Sequence, residues 1–432
     1  MKFTIIVFIF INSTIFSQSQ IGNDIDGEAT NDRSGVSVSL DSDGDVVAIG
    51  AYLNDPASGS AAGHVRVYQY SGSSWNQLGS DIDGEAAGDW FGASLSLDSD
   101  GDVVAVGAPK NDGGGTSSGH VRVFQYSGSS WNQLGSDIDG EAAGDESGYF
   151  QSVSLDSDGS HVAIGAWENT GNGTAAGHVR VFQYSSGSWS QLGSDIDGEA
   201  LGDYSGYSIS IDDNGDRVAI GAGGNNAGGD DRGHVRVFQY SSGSWSQLGS
   251  DIEGAADYDY FGSSVSLDSD GDRVAIGAYQ DDGNGDDPGY VRVYRYSGSS
   301  WSQLGSDITG ETGGDKFGWS VSIDADGDRL FVGAPSNGSK GHGRMFTWDG
   351  SAWNQQGVDI DGEGTSDQFG YSVSLDSDGD RLAIGAYLND GNGSNSGHVR
   401  IYNVSDASLP VDLSSFSLVS SRSNAMTLEW VT

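Results

Sequence analysis

The chain alternates short apolar runs with clusters of turn residues, and this arrangement recurs along its whole length. In the second repeat the runs are Ala93-Ser-Leu-Ser-Leu97, Val103-Val-Ala-Val106, His120-Val-Arg-Val-Phe124 and Trp131-Asn-Gln-Leu134. Runs of this length, bounded by glycine, serine and aspartate, are typical of β-strands. Asp98-Ser-Asp-Gly-Asp102 joins the first two runs, and Gly101 can adopt the positive φ that a tight hairpin turn needs. Because no segment has a helical period, the pattern predicts an all-β protein.

Seven copies of one motif divide the chain into units of similar length. The motif D-I-D-G-E, or a close variant, begins at Asp24, Asp81, Asp137, Asp195, Asp251, Asp307 and Asp359. The spacings of 57, 56, 58, 56, 56 and 52 residues fit four short strands with their loops. The sequence therefore predicts a seven-bladed β-propeller of four-stranded blades.

The last unit lacks a fourth strand, and the start of the chain can provide it. The unit ends after Ile401-Tyr-Asn without the W-x-Q-L-G segment of the others, whereas Ser19-Gln-Ile-Gly-Asn23 precedes the first D-I-D-G-E motif. We expect this N-terminal strand to pair into the last blade, because closure removes the exposed edges of the ring. Gln18 then occupies the position of the tryptophan found in the other units.

Two terminal segments differ in composition from the repeats. Lys2, the apolar run Phe3 to Ile11 and the segment Ile15-Phe-Ser17 have the order of a secretory signal peptide, predicted to span residues 1–17. This run is too short to span a bilayer, so we expect a secreted or outer cell-surface protein. The propeller is expected over residues 18–406. Residues 407–432 are expected to be the start of a truncated C-terminal β region with two strands.

The residues around the first hairpin of each unit resemble a known repeat. Phe91-Gly92, Phe261-Gly262, Phe317-Gly318 and Phe369-Gly370 precede strands, and Gly107-Ala-Pro109 and Gly333-Ala-Pro335 follow the next ones. This resembles the FG-GAP repeat, the blade unit of the integrin α-subunit propeller and of bacterial surface proteins. Integrin-type repeats carry a calcium loop between the first two strands, which is shortened here to D-S-D-G-D. The segment from Leu409 to Phe416 is similar to the junction before C-terminal sorting regions of Bacteroidota proteins exported by type IX secretion.

Some units depart from this repeat at the segment that leads into the first strand. Ser34-Gly35 and Ser205-Gly206 replace Phe-Gly, and the third unit has a segment that is two residues longer, Ser147-Gly-Tyr-Phe150.

The net charge of −43 limits the classes of partner. Such a surface repels nucleic acid and anionic membranes, and it favours divalent cations. The absence of cysteine excludes disulfides and thiol chemistry.

Carboxylates at alternate positions of the motif D-I-D-G-E-A-x-x-D are candidate ligands of Ca²⁺, which accepts several oxygen ligands in flexible geometry. The alternative is that the first two acids finish a strand and the glutamate faces water. The fifth and sixth units lack part of the set, with Ala255 and Thr309 at acidic positions. A hairpin turn explains the D-S-D-G-D acids, such as Asp41, Asp43 and Asp45, without metal. The candidate calcium ligands are Asp24, Asp26, Glu28, Asp32, Asp81, Asp83, Glu85, Asp89, Asp137, Asp139, Glu141, Asp145, Asp195, Asp197, Glu199, Asp203, Asp359, Asp361, Glu363 and Asp367.

Histidine and arginine recur at fixed repeat positions and are expected to be structural. Six histidines share one position, where Tyr290 replaces histidine in the fifth unit. An arginine follows two residues later in every unit, and as a group buried between blades it needs carboxylate or carbonyl partners, which the D-I-D-G-E motif can supply. The histidines are His64, His120, His178, His234, His342 and His398; the arginines are Arg66, Arg122, Arg180, Arg236, Arg292, Arg344 and Arg400.

Catalysis requires unlike groups that converge on one point, and nearly every polar residue here belongs to the repeat. The sequence therefore predicts no enzyme and no catalytic residues. We expect a monomeric, non-enzymatic adhesion propeller, stabilised by Ca²⁺, that recognises an extracellular protein or glycan through its blade loops, with no nucleic acid partner and no membrane insertion. The alternatives are an exported polysaccharide-active enzyme and a passive surface scaffold. The residues that break the symmetry are Trp90, Lys110, Trp167, Lys316, Trp319, Lys340 and Trp348.

Overall fold

The computed structural model describes residues 15–16, 18–226, 228–279, 287–404, 406–407, 415–422 and 425–431. Apart from the strand Ile15–Phe16, the predicted signal peptide lies outside these ranges. The described residues form a seven-bladed propeller of four-stranded antiparallel sheets, which confirms the predicted fold. Among them there is no helix with the length and apolarity needed to cross a membrane.

Each blade has an inner, a second, a third and an outer strand, in the order of the chain. The inner strands are Ser37–Leu40, Ser94–Leu97, Val153–Leu155, Ser208–Ile211, Ser264–Leu267, Ser320–Ile323 and Ser372–Leu375. The second strands are Val46–Ala51, Val103–Ala108, His161–Ala166, Arg217–Ala222, Arg273–Ala278, Arg329–Ala334 and Arg381–Ala386. The third strands are His64–Ser71, His120–Tyr126, His178–Ser185, His234–Ser241, Tyr290–Ser297, His342–Trp348 and His398–Asn403.

The outer edge of each third strand pairs with two successive segments. The outer strands are Ser74–Gln77, Trp131–Gln133, Ser188–Gln191, Ser244–Gln247, Ser300–Gln303, Trp353–Asp361 and Ser19–Gln20. The short strands that follow them are Ile82–Asp83, Ile138–Asp139, Ile196–Asp197, Ile252–Glu253, Ile308–Thr309 and Ile25–Asp26, whereas Trp353–Asp361 spans both segments. The D-I-D-G-E motif therefore completes one blade before the chain enters the next.

The N-terminal strand closes the ring, as the repeat boundaries predict. Ser19 and Gln20 pair with Asn403 and Tyr402, and the Ile21 amide donates to the Ile401 carbonyl at 2.8 Å. Gln18 donates to the Val358 carbonyl at 2.8 Å and accepts from its amide at 3.0 Å.

Two further strand pairs lie outside the blades. Ile15–Phe16 pairs with Asp406–Ala407, and Ser415–Arg422 forms an antiparallel hairpin with Ala425–Val431.

The core lies between the blades. Among the described residues, seven apolar clusters each join two neighbouring blades, including the last and the first. Second strands such as Val46–Ala51 are buried at every position because neighbouring sheets cover both faces. The glycines of the repeat permit this close approach: a Cβ at Gly50 would collide with the Gly92 carbonyl of the next blade.

A closed ring of backbone hydrogen bonds joins the seven inner hairpins at one end of the axial channel. In each blade the amide of the second turn residue donates to the carbonyl of its equivalent in the next blade, at 3.0–3.4 Å. The ring runs through Ser42, Ser99, Ser157, Asp213, Ser269, Ala325 and Ser377, and then returns to Ser42. We call this end of the channel the turn end and the opposite end, where the inner strands begin, the mouth.

Candidate functional site at the channel mouth

One backbone position at the mouth has an unusual conformation in all seven blades. The residue before each Phe-Gly or Ser-Gly pair has a positive φ of 52–63°, although none of the seven is glycine. Left-handed backbone in non-glycine residues costs free energy and is often associated with functional sites. Here the conformation is shared while the side chains differ in chemistry: Arg33, Trp90, Glu146, Tyr204, Tyr260, Lys316 and Gln368.

Aromatic side chains next to these positions form two arcs around the mouth. In the first arc, consecutive ring centroids lie 4.7–5.5 Å apart, and its members are Trp90, Tyr52, Phe150, Tyr149 and Trp167. In the second arc the centroids lie 4.3–5.3 Å apart, and its members are Tyr279, Trp319, Tyr371 and Tyr387. These separations are those of packed aromatic pairs, so each arc forms a continuous surface.

A cluster of unlike charged groups lies against the first arc. Lys110 Nζ forms an ion pair with Glu146 Oε1 and lies 5.3 Å from the ring centre of Trp90. The side chains of Lys110 and Glu146 are only 27% and 16% exposed. Burial raises the pKa of Glu168, and the negative charge of Glu146 raises it further, while Lys110 lowers it. Burial also raises the pKa of Tyr149 to about 12, with Glu146 contributing.

The longer segment of the third unit forms the floor of the mouth. Gln151 Nε2 donates to the Trp319 carbonyl at 3.3 Å, which links the third blade to the sixth across the channel. The Gln151 carbonyl accepts from the Ile209 amide at 3.0 Å. Phe150 and Gln151 line a cavity of about 140 Å³ together with inner-strand residues of all seven blades. The mouth is therefore a pocket whose lower boundary is formed by the Phe150–Gln151 segment.

The candidate calcium ligands Asp81, Glu85 and Asp89 of the second unit each contact a different protein group. Asp81 accepts from Gln77 at 2.6 Å, and Glu85 forms an ion pair with Arg122 at 3.5 Å. Asp89 is buried and accepts from the Ala86 amide and from Asn111 Nδ2 at 3.1 and 2.9 Å. Some carboxylates approach each other across successive segments: potential ligand atoms of Glu28, His64 and Asp81 lie within 4.8 Å of one another, as do those of Glu85, His120 and Asp137. Within one segment, Asp24 and Asp26 form such a group with His398.

The first aspartate of the D-S-D-G-D segment stabilises the hairpin turn by accepting backbone hydrogen bonds, as the hairpin interpretation predicts. Asp98 Oδ1 accepts from the amides of Asp102 and Val103 at 3.0 and 2.9 Å. Burial raises the pKa of Asp98 to about 6 and that of Asp376 to about 7.

The repeated arginines have the predicted partners. Arg122 is 6% exposed, donates to the Asp83 carbonyl at 2.8 Å and pairs with Glu85. In the fifth blade the glutamate is replaced by Ala255, and Arg292 instead forms two hydrogen bonds to Asp307 at 2.8–2.9 Å. The arginine is therefore part of the scaffold between blades.

The repeated histidines lie one in each of six blades, as their repeat position predicts, and all six are buried. Burial lowers the pKa of His64 and His120 to about 4, and their Nε2 atoms have no hydrogen-bond partner among the described residues.

Five of the seven symmetry-breaking residues lie at the mouth. Trp348 lies elsewhere and packs on Trp353 of the outer strand at 5.6 Å, and Lys340 is exposed in a loop of the sixth blade. The sequence did not reveal Glu146 and Glu168, because both lie in segments that otherwise read as variants of the repeat. The signal that could have found Glu146 is the position before Phe-Gly or Ser-Gly, whose residue type changes from unit to unit; Glu168, which follows a second strand, has no such signal.

Comparison with known proteins supports the repeat and the fold. The FG-GAP repeat family matches residues 82–124, 253–294 and 356–402. No curated protein matches the sequence. Similar solved structures include a candidate 6-phosphogluconolactonase from Bacteroides uniformis, at 13% identity and a TM-score of 0.56, covering 80% of this chain and 90% of that one. The periplasmic gluconolactonase PpgL of Pseudomonas aeruginosa matches at 12% identity and a TM-score of 0.51, covering 77% and 86%. The Dos1 propeller matches at 13% identity and a TM-score of 0.50, covering 91% and 95%.

The expectation that this chain is not an enzyme is wrong. It rested on the sevenfold repetition, yet two of these similar propellers are named as lactonases. At 12–13% identity the likeness shows the fold alone, so their activity is not transferred to this chain. The physical reason for the error is that Lys110, Glu146 and Glu168, which lie apart in the sequence, approach one another at the mouth and break the symmetry there. The described residues form a seven-bladed β-propeller, and three stretches of the chain match the FG-GAP repeat.

Proposed function

We propose that the protein is an exported carbohydrate-active enzyme with its active site at the channel mouth. The observation that carries this proposal is the convergence of Lys110, Glu146 and Glu168 beside the aromatic faces of Trp90 and Trp167. Aromatic faces stack on sugar rings, and two carboxyl groups in different environments can divide the roles of acid and base in hydrolysis.

The environments of the two glutamates assign these roles. Glu168 is the proton donor to the leaving oxygen, because burial and the charge of Glu146 favour its protonated form. Glu146, held by Lys110, is the carboxylate that activates water or stabilises developing positive charge. Burial keeps Tyr149 as a neutral hydroxyl, and the charges of Glu146 and Glu168 raise its pKa further.

Hydrolysis of defined substrates tests this proposal. The panel contains neutral and acidic oligosaccharides and sugar lactones, the last chosen because two similar propellers are named as gluconolactonases. We expect turnover by the wild type and a loss of at least about 100-fold in kcat for Glu168→Gln, the range for a general acid. Asp43→Asn is the matched control, since Asp43 is exposed in a hairpin turn at the turn end.

Two outcomes would contradict the proposal. Retention of a saccharide without turnover would indicate a binding protein, and turnover that survives Glu168→Gln would place the chemistry elsewhere.

Calcium binding and export remain proposals of the same kind. For calcium, the groups that support a site are those in which Glu28 and Asp81, Glu85 and Asp137, or Asp24 and Asp26 approach a shared histidine. Export rests on residues 1–17, and a monomeric state and a glycan partner are likewise expectations from the sequence.

A further inference from the structure

The second aromatic arc is flanked by two cations that the scaffold does not use. Arg33 lies 5.4 Å from the ring centre of Tyr387, and Lys316 lies 5.1 Å from that of Trp319. Tyr371 connects the two rings, with centroids 5.3 Å from Trp319 and 4.3 Å from Tyr387. The sixth, seventh and first blades are adjacent in the ring, so the five side chains form one contiguous group at the mouth.

Neither cation is neutralised by the described part of the chain. Arg33 and Lys316 have no carboxylate within ion-pair distance among the described residues, and the buried Arg33 Nε has no hydrogen-bond partner there. Arginines of the scaffold behave differently: Arg122 pairs with Glu85, and Arg217 donates to the Asp270 carbonyl at 2.8 Å. In a chain of net charge −43, two unpaired cations at the mouth require an explanation.

Charge is divided across the mouth. The first arc carries Glu146 and Glu168, with Lys110 neutralising one of them. At the far end of the second arc, Asp231 accepts from Tyr260 at 3.4 Å. Burial raises the pKa of Tyr279 there, and Tyr260 and Asp231 raise it further. The stretch from Trp319 to Tyr387 therefore combines aromatic faces with positive charge, whereas both of its flanks are acidic.

We propose that this stretch is a subsite for an anionic saccharide, one that bears carboxylate or sulfate groups on its sugar rings. The rings of Trp319 and Tyr387 contact the sugar, Tyr371 packs between them and supports both, and Arg33 and Lys316 bind its anionic groups. The inference rests on the proposed function, because it names the substrate class of the same mouth. It also explains how so acidic a protein accepts such a ligand, since two cations without carboxylate partners among the described residues lie there.

Binding measurements test the subsite without relying on turnover. Calorimetry compares tetragalacturonate with its methyl ester, and sulfated cellotetraose with cellotetraose, so each anion has a neutral partner of the same size. We expect at least one anion to bind more tightly than its neutral partner, and we expect Arg33→Gln/Lys316→Gln to weaken that binding about tenfold or more. The pair that shows the preference identifies carboxylate or sulfate as the group recognised.

The variants are chosen so that the fold is preserved. Gln368 occupies the equivalent position of the seventh blade with a φ of 55°, so glutamine is compatible with this backbone conformation. Lys340→Gln is the matched control, because Lys340 is an exposed lysine of the sixth blade outside the arc.

Equal binding of charged and neutral saccharides, including no binding of either, would overturn the inference. So would a loss of affinity in Lys340→Gln as large as that in Arg33→Gln/Lys316→Gln. Its failure is distinguishable from that of the proposed function, which is measured as turnover and its loss in Glu168→Gln. Charge-dependent binding without turnover would retain the subsite and reject the enzyme, and turnover without charge preference would do the reverse.

Discussion

At the scale of single residues, the repeated arginine shows how the blades are held together. Arg236 is 6% exposed, donates to the Asp197 carbonyl at 2.7 Å and lies 3.8 Å from Glu199. We expect Arg236→Met to lower the free energy of unfolding by about 2 kcal/mol, because a buried carbonyl loses its charged donor. Urea denaturation measures the change. Arg295→Met is the control, since Arg295 is 51% exposed and its ion pair should contribute less than about 1 kcal/mol. Equal losses in the two variants would contradict this account.

The repeated histidine makes stability depend on pH. Burial lowers the pKa of His120 from the usual 6.5 to about 4, so between these values the unfolded chain is protonated while the folded one is not. The contribution of neutral His120 to the free energy of unfolding is therefore present above pH 6.5 and is lost as the pH falls toward 4. We expect His120→Tyr, which introduces the residue that Tyr290 places in the fifth blade, to gain about 2 kcal/mol relative to the wild type between pH 7 and pH 4.5, measured by urea denaturation at both values.

His161 provides a control of opposite sign. Its ring nitrogen Nδ1 lies 2.6 Å from Asp156, and this hydrogen bond raises the pKa of His161. Its stabilising effect is present at low pH and is lost as the pH rises through the folded pKa. Val46 and Val103 occupy the equivalent position in the first two blades, so His161→Val is compatible with the strand. This variant should therefore lower the free energy of unfolding more at pH 5 than at pH 8. If both histidine variants changed with pH in the same direction, the burial argument would fail.

At the scale of elements, the sequence predicts the repeated strands but not the side chains that come together at the channel mouth. The inner strand predicted as Ala93–Leu97 is Ser94–Leu97, because alternation and the Asp98–Asp102 turn determine it locally. The cluster at the mouth could not be derived in this way. Lys110 follows a second strand and Glu146 precedes the next inner strand, so they meet only once blades two and three pack together. Nor does the sequence say that two additional residues in the third unit would span the channel through Gln151.

The N-terminal strand is the element on which closure depends. Ser19–Gln20 completes the last blade, Ile21 packs with Trp75 in the cluster between the last and first blades, and Trp75 Nε1 donates to the Ile21 carbonyl at 2.9 Å. We expect deletion of residues 18–23 to lower the melting temperature by about 5 °C or more, because it exposes this cluster and an unpaired edge. Gln18→Ala, which removes only the exposed contact to Val358, is the control for calorimetry. A deletion that melts like this control would show that the ring is held by its other contacts.

At the scale of the whole molecule, a net charge of −43 opposes compaction, so any cation should stabilise the fold by screening. Specific calcium binding adds to screening only if several oxygen ligands close on one ion, as Glu85 and Asp137 could beside His120. We expect millimolar CaCl₂ to raise the melting temperature more than NaCl of equal ionic strength, both measured against EDTA. The double variant Glu85→Gln/Asp137→Asn should reduce the number of calcium ions bound, since it removes the carboxylates of one such group. If NaCl reproduced the whole increase, the repeated acids would act only as solvating charge, and the ring would be held by its arginines, its apolar clusters and its backbone hydrogen bonds.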